Sequence, residues 1–439
     1  MLDIKFIREN TEKVRDSLKK RGSDFDLNGL LALDEKRRAI IQEVDATRAK
    51  QNSFADEIAG LEGVARDAKI EESKEFKNRL KAAEGERASL EEEYEMLLLK
   101  IPNILADDVP SGKDERDNKV LCMWGEPKKF SFTPKDHLDL GEALDIIDVA
   151  RASKVAGTRF NYFKGGAALL EFALIQLTLE TLTSPKKVKE IADSVEKGYS
   201  AKPFIPVIPP VMIRPEVFQK MGRLEPKEER YYIPSDDIYL IGSAEHTLGS
   251  LHADEILEEK NLPIRYIGFS TSFRREAGSY GKDTRGVLRV HQFDKLEMES
   301  FTTPEGSSTE NRFFTAIQEY LTQVLEIPYR VVIMCSGDTG APNARQVDVE
   351  MWMPGQNMYR ETHTADFMTD FQARRLNTRV RRVDGKLEYA HMNDATAFAI
   401  GRTIIAILEN YQEEDGTVCI PKALQKYMGG METIGARSK

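Results

Sequence analysis

Two runs near the N-terminus constrain the fold more than any other part of the chain. Leu30, Leu33, Arg37, Ile40, Val44, Thr47, Gln51, Phe54, Ile58 and Leu61 fall at a strict 3-4-3-4 spacing. Phe76, Leu80, Ala83, Arg87, Leu90, Tyr94, Leu97 and Ile101 repeat it. A seam of period 3.5 on two long segments predicts two helices wound into a coiled coil. Gly60, Gly63 and the charged stretch to Lys69 permit a reversal between them, so the pair should be an antiparallel hairpin over about residues 30–101. At a rise of about 1.5 Å per residue, each helix runs ~45–50 Å. Few apolar positions remain off the seam, so the arm is expected to project into solvent. Arg37, Gln51 and Arg87 are polar seam positions of the kind that lower stability and fix register.

The arm ends at Ile101-Pro102-Asn103, where proline stops the helix. The polar stretch from Asp107 to Asn118 reads as part of a linker over residues 104–130. Beyond it, helical segments (Gly166 to Thr183, Ser308 to Leu325, Gly401 to Gln412) alternate with β-rich runs such as Tyr329–Met334 and Val347–Trp352. No strand-then-helix unit repeats. The pattern predicts an α+β fold, an antiparallel sheet flanked by helices, over residues 131–439. With 439 residues, 41% hydrophobic, the chain can form more than one core. No apolar run reaches the ~18 residues of a membrane span, and the charged start MLDIKFIREN lacks a signal core. Cys122, Cys335 and Cys419 are far apart, which argues against disulfides and zinc and for a reducing, cytoplasmic setting. A net charge of −10 does not suggest a general nucleic-acid coat protein and leaves room for a local basic patch.

The chemistry concentrates in Phe273 to Glu299, FRREAGSYGKDTRGVLRVHQFDKLEME. It reads as strand, glycine-rich turn, strand. Alternation places Arg289, His291, Phe293, Lys295 and Glu297 on one face of the second strand, and Arg274 and Glu276 on one face of the first. Arginines suit phosphates, an aromatic ring suits a base, and carboxylates suit an amine. An isolated pair of this kind is more simply a surface salt bridge; the whole run points to a nucleoside triphosphate held beside an ammonium group. Neither common glycine loop for nucleotides is present. Gly401-Arg402-Thr403 opens an amphipathic helix, where free N–H groups favour an anion, although a solvated arginine is the plainer reading of that position alone. Glu350, in a half-buried strand, and Glu361 could share Mg²⁺, or be structural charges. Ser243-Ala244-Glu245 follows an apolar strand and could orient a small polar ligand; Ser243 could equally cap a helix running through Leu251. The six histidines show no metal spacing, and no G-x-S-x-G elbow supports a hydrolase.

Taken together, these segments resemble the bacterial seryl-tRNA synthetases, a family of class II aminoacyl-tRNA synthetases, over nearly the whole chain. MLDIKFIREN, the coiled-coil arm and IPN resemble that family's tRNA-binding region. The segment closing on Ile208-Pro209-Pro210 resembles class II motif 1, which supports dimerisation. FRREAGSYGKDTRGVLRVHQFDKLE resembles motif 2, and GRTIIAILENYQ motif 3. MPGQNMYRE, TDFQARRLNTR and IPKALQKYMGG resemble family-specific stretches.

The resemblance implies a serine–tRNA ligase, a homodimer that activates L-serine with ATP and Mg²⁺, without zinc, and transfers it to tRNA(Ser), with tRNA(Sec) as a second candidate acceptor. It implies an N-terminal tRNA-binding domain over residues 1–103 and a class II catalytic domain over residues 131–439. Arg274 and Arg402 would be catalytic, at the α- and γ-phosphates. Arg275, Glu276, Arg289, Phe293, Glu350, Glu361, Thr362, His363 and Thr364 would complete the ATP site, with Phe293 on adenine and with Glu350 and Thr364 at the metal. Ser243, Ala244, Glu245, Arg274, Glu297 and Thr396 would bind serine. The arm would grip the long variable arm of tRNA(Ser) across the dimer.

Three places depart from the family. Gly242-Ser243-Ala244-Glu245 stands where Pro-Thr-Ala-Glu is usual. Glu361-Thr362-His363-Thr364 replaces Glu-x-Ser-Ser, and Asp394-Ala395-Thr396 replaces Asn-Gly-Ser. A hydroxyl survives in each, so a correlated repacking that still reads serine is expected, with His363 behind the pocket. A carrier-charging relative would lack the arm, a scaffold descendant would have lost the arginines, and a threonyl-type enzyme would need a zinc site.

Overall fold

The computed structural model describes residues 1–277 and 286–435, which form two compact units, residues 1–102 and residues 103 onward. In the first, two short helices, Ile4–Glu9 and Thr11–Lys20, precede the arm. Helix α1 (Leu27–Ala59) and helix α2 (Gly63–Leu98) have 33 and 36 residues. The reversal takes only residues 60–62, with Gly63 at φ +58°, tighter than the glycine and charge pattern suggested.

Ile40, Val44 and Ala83 form the middle of the seam, flanked by Leu80 and Leu90. Phe54 meets Phe76 at 5.3 Å between ring centres. The polar seam positions are partnered: Gln51 Nε2 donates to Ser73 Oγ at 3.3 Å, and the Arg37 guanidinium lies 4.8 Å from the Tyr94 ring. Arg48–Glu84 (2.6 Å) and Arg79–Glu43 (2.7 Å) bridge the helices outside the seam. Exposed pairs of this kind add little to stability, because solvent screens them. Near the end of α2 the buried position is Leu98 rather than Leu97.

The second unit is built on an eight-stranded sheet. Its strands are β1 (Lys119–Trp124), β2 (Ile205–Val207), β3 (Ile264–Phe273), β4 (Gln292–Thr302), β5 (Tyr329–Ile333), β6 (Arg345–Met353), β7 (Met358–Thr369) and β8 (His391–Ala399). The spatial order is β1-β5-β6-β7-β8-β4-β3-β2. Every neighbouring pair is antiparallel except β2 with β3. The α+β expectation holds. The stretch 104–130 is more than a linker, since β1 within it is the edge strand of the sheet. Helices α3 (Gly166–Thr183), α4 (Pro304–Val324) and α5 (Ile400–Asn410) cover one face. Phe313, Phe314, Ile317 and Leu321 of α4 and Ile404, Ile405 and Leu408 of α5 share a core with Leu296 and Met298 of β4.

Helix α3 corrects one expectation. By length and composition it is apolar enough to cross a membrane. Ala167, Leu170, Ala173, Leu174, Leu177 and Leu182 are instead buried in the main core, while Leu169 and Phe172 are exposed. A core helix passes the same compositional test as a span, and the burial of one face explains the apolar run.

Candidate active site

The opposite face of the sheet carries a cavity of about 210 Å³. Its walls come from β4, β6, β7 and β8, the segment after β3, the start of α5, and the loop after the helix Pro215–Met221. The expected hairpin is shorter in strand than its alternation suggested. Strand β3 stops at Phe273 and β4 starts at Gln292, and the turn, Gly278 to Arg285, lies outside the described residues. Arg274, Glu276, Arg289 and His291 therefore do not alternate on a strand face. Glu276, at φ +53°, and residues 286–291 bend across the cavity instead, and Arg274, Glu276 and Arg289 line it together with Phe293. The bend is held by two backbone-anchored contacts, Arg274 N–H to His291 O at 3.0 Å and His291 Nδ1 to Arg274 O at 3.0 Å.

One end of the cavity is rich in guanidinium groups. The Arg274 guanidinium stacks 5.3 Å from the Phe293 ring, and its Nε donates to Gly242 O at 3.1 Å. Arg289 Nη1 lies 3.3 Å from Glu276 Oε2. Arg402, in the first turn of α5, donates to Glu361 Oε1 and Glu361 O, both at 2.9 Å. Desolvation opposes ionisation of Glu361, but Arg402, Arg274, Lys295 and Arg289 outweigh it and hold its carboxyl below the ordinary value.

The other end is rich in carboxylates. Lys295 Nζ lies 2.5 Å from Glu297 Oε2, 2.9 Å from Ser243 Oγ and 4.0 Å from Glu245 Oε2. Burial pushes Glu297 up to about 8 even beside Lys295. One ammonium thus serves two buried carboxylates, an arrangement that accepts a further cation. Thr396 is paired with Glu297 across β8 and β4, and Thr364 and Thr362 line the same wall.

Gly242, where a proline was the family expectation, has a structural reason. Its N–H donates to His246 Nδ1 at 3.1 Å, so the proton of this neutral ring sits on Nε2, 3.5 Å from Glu245 Oε1. Burial keeps His246 well below its ordinary pKa. Proline has no N–H to give, and a Cβ at this position would stand 3.1 Å from Arg230 Nη1.

Several expected residues lie elsewhere. Arg275 does not line the cavity; its guanidinium is 5.9 Å from the Tyr231 ring. Ser243 does not cap a helix, since the helix Glu245–Leu248 is preceded by Ala244, and Ala244 itself packs in a core with Leu248 and Met392. His363 is buried behind the wall, with Nδ1 2.8 Å from the Thr362 hydroxyl and its ring 5.5 Å from Phe398. Glu350 faces an adjoining cavity that shares Gln346, Arg289, Glu361 and Arg402 with the first, and it is ion-paired with Arg330.

Residues that the sequence did not assign to the site also contribute: Arg223, Asp366, Gln346 and Asn343. Alternation along β7 from Thr362 through Thr364 points to Asp366, whereas Arg223, in a loop, carries no such signal. Among the described residues no cluster of three or more His, Cys, Asp or Glu could hold a metal. Glu350, Glu361 and Thr364 are oxygen donors, the chemistry Mg²⁺ takes when phosphates complete its shell.

The chain is similar to known proteins over nearly its whole length. Residues 230–411 match the tRNA synthetase class II core domain (G, H, P, S and T), and residues 1–105 match the seryl-tRNA synthetase N-terminal domain. The fold is that of a class II aminoacyl-tRNA synthetase. The chain is 44% identical to a serine–tRNA ligase of Dictyoglomus turgidum, over 98% of each, and 42% identical to that of Thermodesulfovibrio yellowstonii, over 98% of this chain and 99% of the other. The structure of seryl-tRNA synthetase from Pyrococcus horikoshii complexed with ATP superposes with a TM-score of 0.91 at 41% identity, covering 100% of both chains. The cytoplasmic serine–tRNA ligase of Naegleria fowleri in complex with AMP gives 0.86 at 30% identity, covering 100% of this chain and 99% of the other. This chain belongs to the seryl-tRNA synthetase family.

Proposed function

We propose that the chain is a serine–tRNA ligase. One observation carries the reading: a single cavity joins a guanidinium-rich end, suited to a triphosphate, to a carboxylate-rich end, suited to an ammonium group. The serine carboxylate attacks the α-phosphorus of ATP, the bond to the bridging oxygen breaks, and pyrophosphate leaves. The 3′-terminal hydroxyl of tRNA(Ser) then attacks the acyl carbon, the bond from that carbon to the phosphate oxygen breaks, and AMP leaves with the hydroxyl proton taken up by its phosphate. The first nucleophile is already ionised, so no protein base is needed.

The protein's part is placement and charge neutralisation. Arg274, over Phe293, holds the α-phosphate beside the adenine, Arg402 takes the γ-phosphate, and Glu276 and Arg289 close the rim. Glu297 and Glu245 hold the serine ammonium, and Thr396 meets the side chain. Glu361 and Thr364, with Glu350 from the adjoining cavity, would hold Mg²⁺ beside the phosphates, where it would neutralise charge on the leaving pyrophosphate. Arg275, Ser243, Ala244 and His363 act from behind the walls, as supports rather than contacts.

The same proposal includes a homodimer, supported by exposed apolar residues on packed neighbours: Leu169 and Phe172 on α3, Ile205 on β2, and Ile208 just after it. It includes the grip of the arm on tRNA(Ser). A cytoplasmic setting fits three cysteines that are all free. The test is charging of tRNA(Ser) with labelled serine: saturable, ATP-dependent seryl-tRNA formation is expected, and formation of adenylate without any charging would reject the ligase reading.

A further inference from the structure

Beyond Thr396, one row of side chains across the sheet is occupied by charge. Asp366 on β7 and Asp394 on β8 are directly opposite each other, and Asp394 is directly opposite Glu299 on β4. Three carboxylates in register on one face repel. Both aspartates are almost fully buried, at 6% and 5% side-chain exposure, and Glu299 is entirely so. A single guanidinium answers them: Arg223 Nη2 donates to Asp366 Oδ2 at 2.7 Å and to Asp394 Oδ2 at 3.0 Å. Neither oxygen of Glu299 has a hydrogen-bond partner among the described residues, and burial beside Asp394 keeps its carboxyl well above the usual range.

Arg223, Asp366 and Asp394 all line the cavity. Asp394 is two residues from Thr396 on the same strand and so shares its face, about 7 Å away. Arg223 is itself anchored, because its carbonyl accepts a hydrogen bond from Arg230 Nη2 at 2.7 Å. We propose that Arg223 is a specificity-determining positioning residue: by bridging Asp366 and Asp394 it forms the closed, rigid end of the amino-acid pocket next to Thr396. The inference rests on the serine–tRNA ligase reading. Its chemical point is the exclusion of threonine. An added methyl is rejected only weakly by a wall that can yield, whereas this wall yields only by breaking a buried ion pair, which strands charge in a low dielectric.

The test is amino-acid-dependent ATP–pyrophosphate exchange with serine and threonine for the wild type, R223Q, D394N and R223Q/D394N. R223Q strands two aspartates, so the KM for serine should rise about tenfold or more and the serine-over-threonine ratio of kcat/KM should fall about as much, with the KM for ATP unchanged. D394N should do the same more mildly. The double variant, which removes the guanidinium together with one of the two acidic groups it bridges, should recover serine KM toward the wild type. A shift in melting temperature on adding ATP certifies each variant as folded, and if R223Q fails that check, the D394N comparison decides. Equal rises in the KM for serine and ATP, unchanged discrimination in a folded variant, or a double variant no better than R223Q would overturn the inference. Absence of serine-dependent exchange in the wild type would instead reject the underlying function.

Discussion

The backbone N–H of Gly242 donates to His246 Nδ1 at 3.1 Å, and that bond aims the other ring nitrogen at Glu245. A departure from the family's usual proline is thus tied to the residue proposed to hold the substrate ammonium. G242P removes the donor and leaves a buried acceptor unpaired, at a cost of about 1–3 kcal/mol. The expected result is a raised KM for serine in pyrophosphate exchange with little change in the KM for ATP. Equal effects on both substrates would mean that Gly242 serves only folding.

His363 is expected to be visible in the pH dependence of stability. Burial lowers its pKa from the ordinary value to about 3. In the unfolded chain it takes a proton below about pH 6.5, and in the fold it does not until about pH 3. The unfolded state therefore gains stability as pH falls through that window, and His363 destabilises the fold on acidification. H363L should reduce the stability lost between pH 7.5 and 5.5 by about 1.4 kcal/mol, with His246 contributing equally to both proteins. Urea unfolding of wild type and variant at the two pH values measures this difference, and parallel pH curves would contradict the assignment.

Away from the cavity, Arg265 and Glu310 are fully buried and joined by two contacts of 2.7 Å. Tyr199 OH donates to the same carboxylate at 2.6 Å, and Arg265 Nη1 reaches Ser200 O and Lys202 O. E310Q leaves the guanidinium without its counter-charge, at a cost on the order of 3–5 kcal/mol. A large fall in denaturation midpoint with substrate KM values near wild type, measured below the transition, is the expected outcome.

The arm offers a separation of activities. Deleting residues 30–100 joins the two ends of a hairpin, since α1 and α2 run antiparallel in one unit. Adenylate formation should persist while charging of tRNA(Ser) is largely lost. Comparable loss of both would contradict the role proposed for the arm.

Much of this was legible in the chain because periodicity survives packing. The 3.5 seam gave the arm, and the apolar face at residues 166–183 matched α3 to the residue. The site was less legible where backbone geometry breaks the period. Arg289 and His291 precede β4, so alternation assigned them a face that they do not have, although the bend carries Arg289 into the cavity anyway. Arg275 follows Arg274 with the same chemistry and points to Tyr231. Arg223 reaches two strands from a loop, a long-range pairing with no local pattern.

The most direct measurement is ATP–pyrophosphate exchange by the full chain with each of the twenty amino acids in turn. Serine is predicted to drive exchange best, with threonine, alanine and cysteine well below it. Exchange driven best by another amino acid would contradict the specificity, and exchange with none would contradict the enzyme.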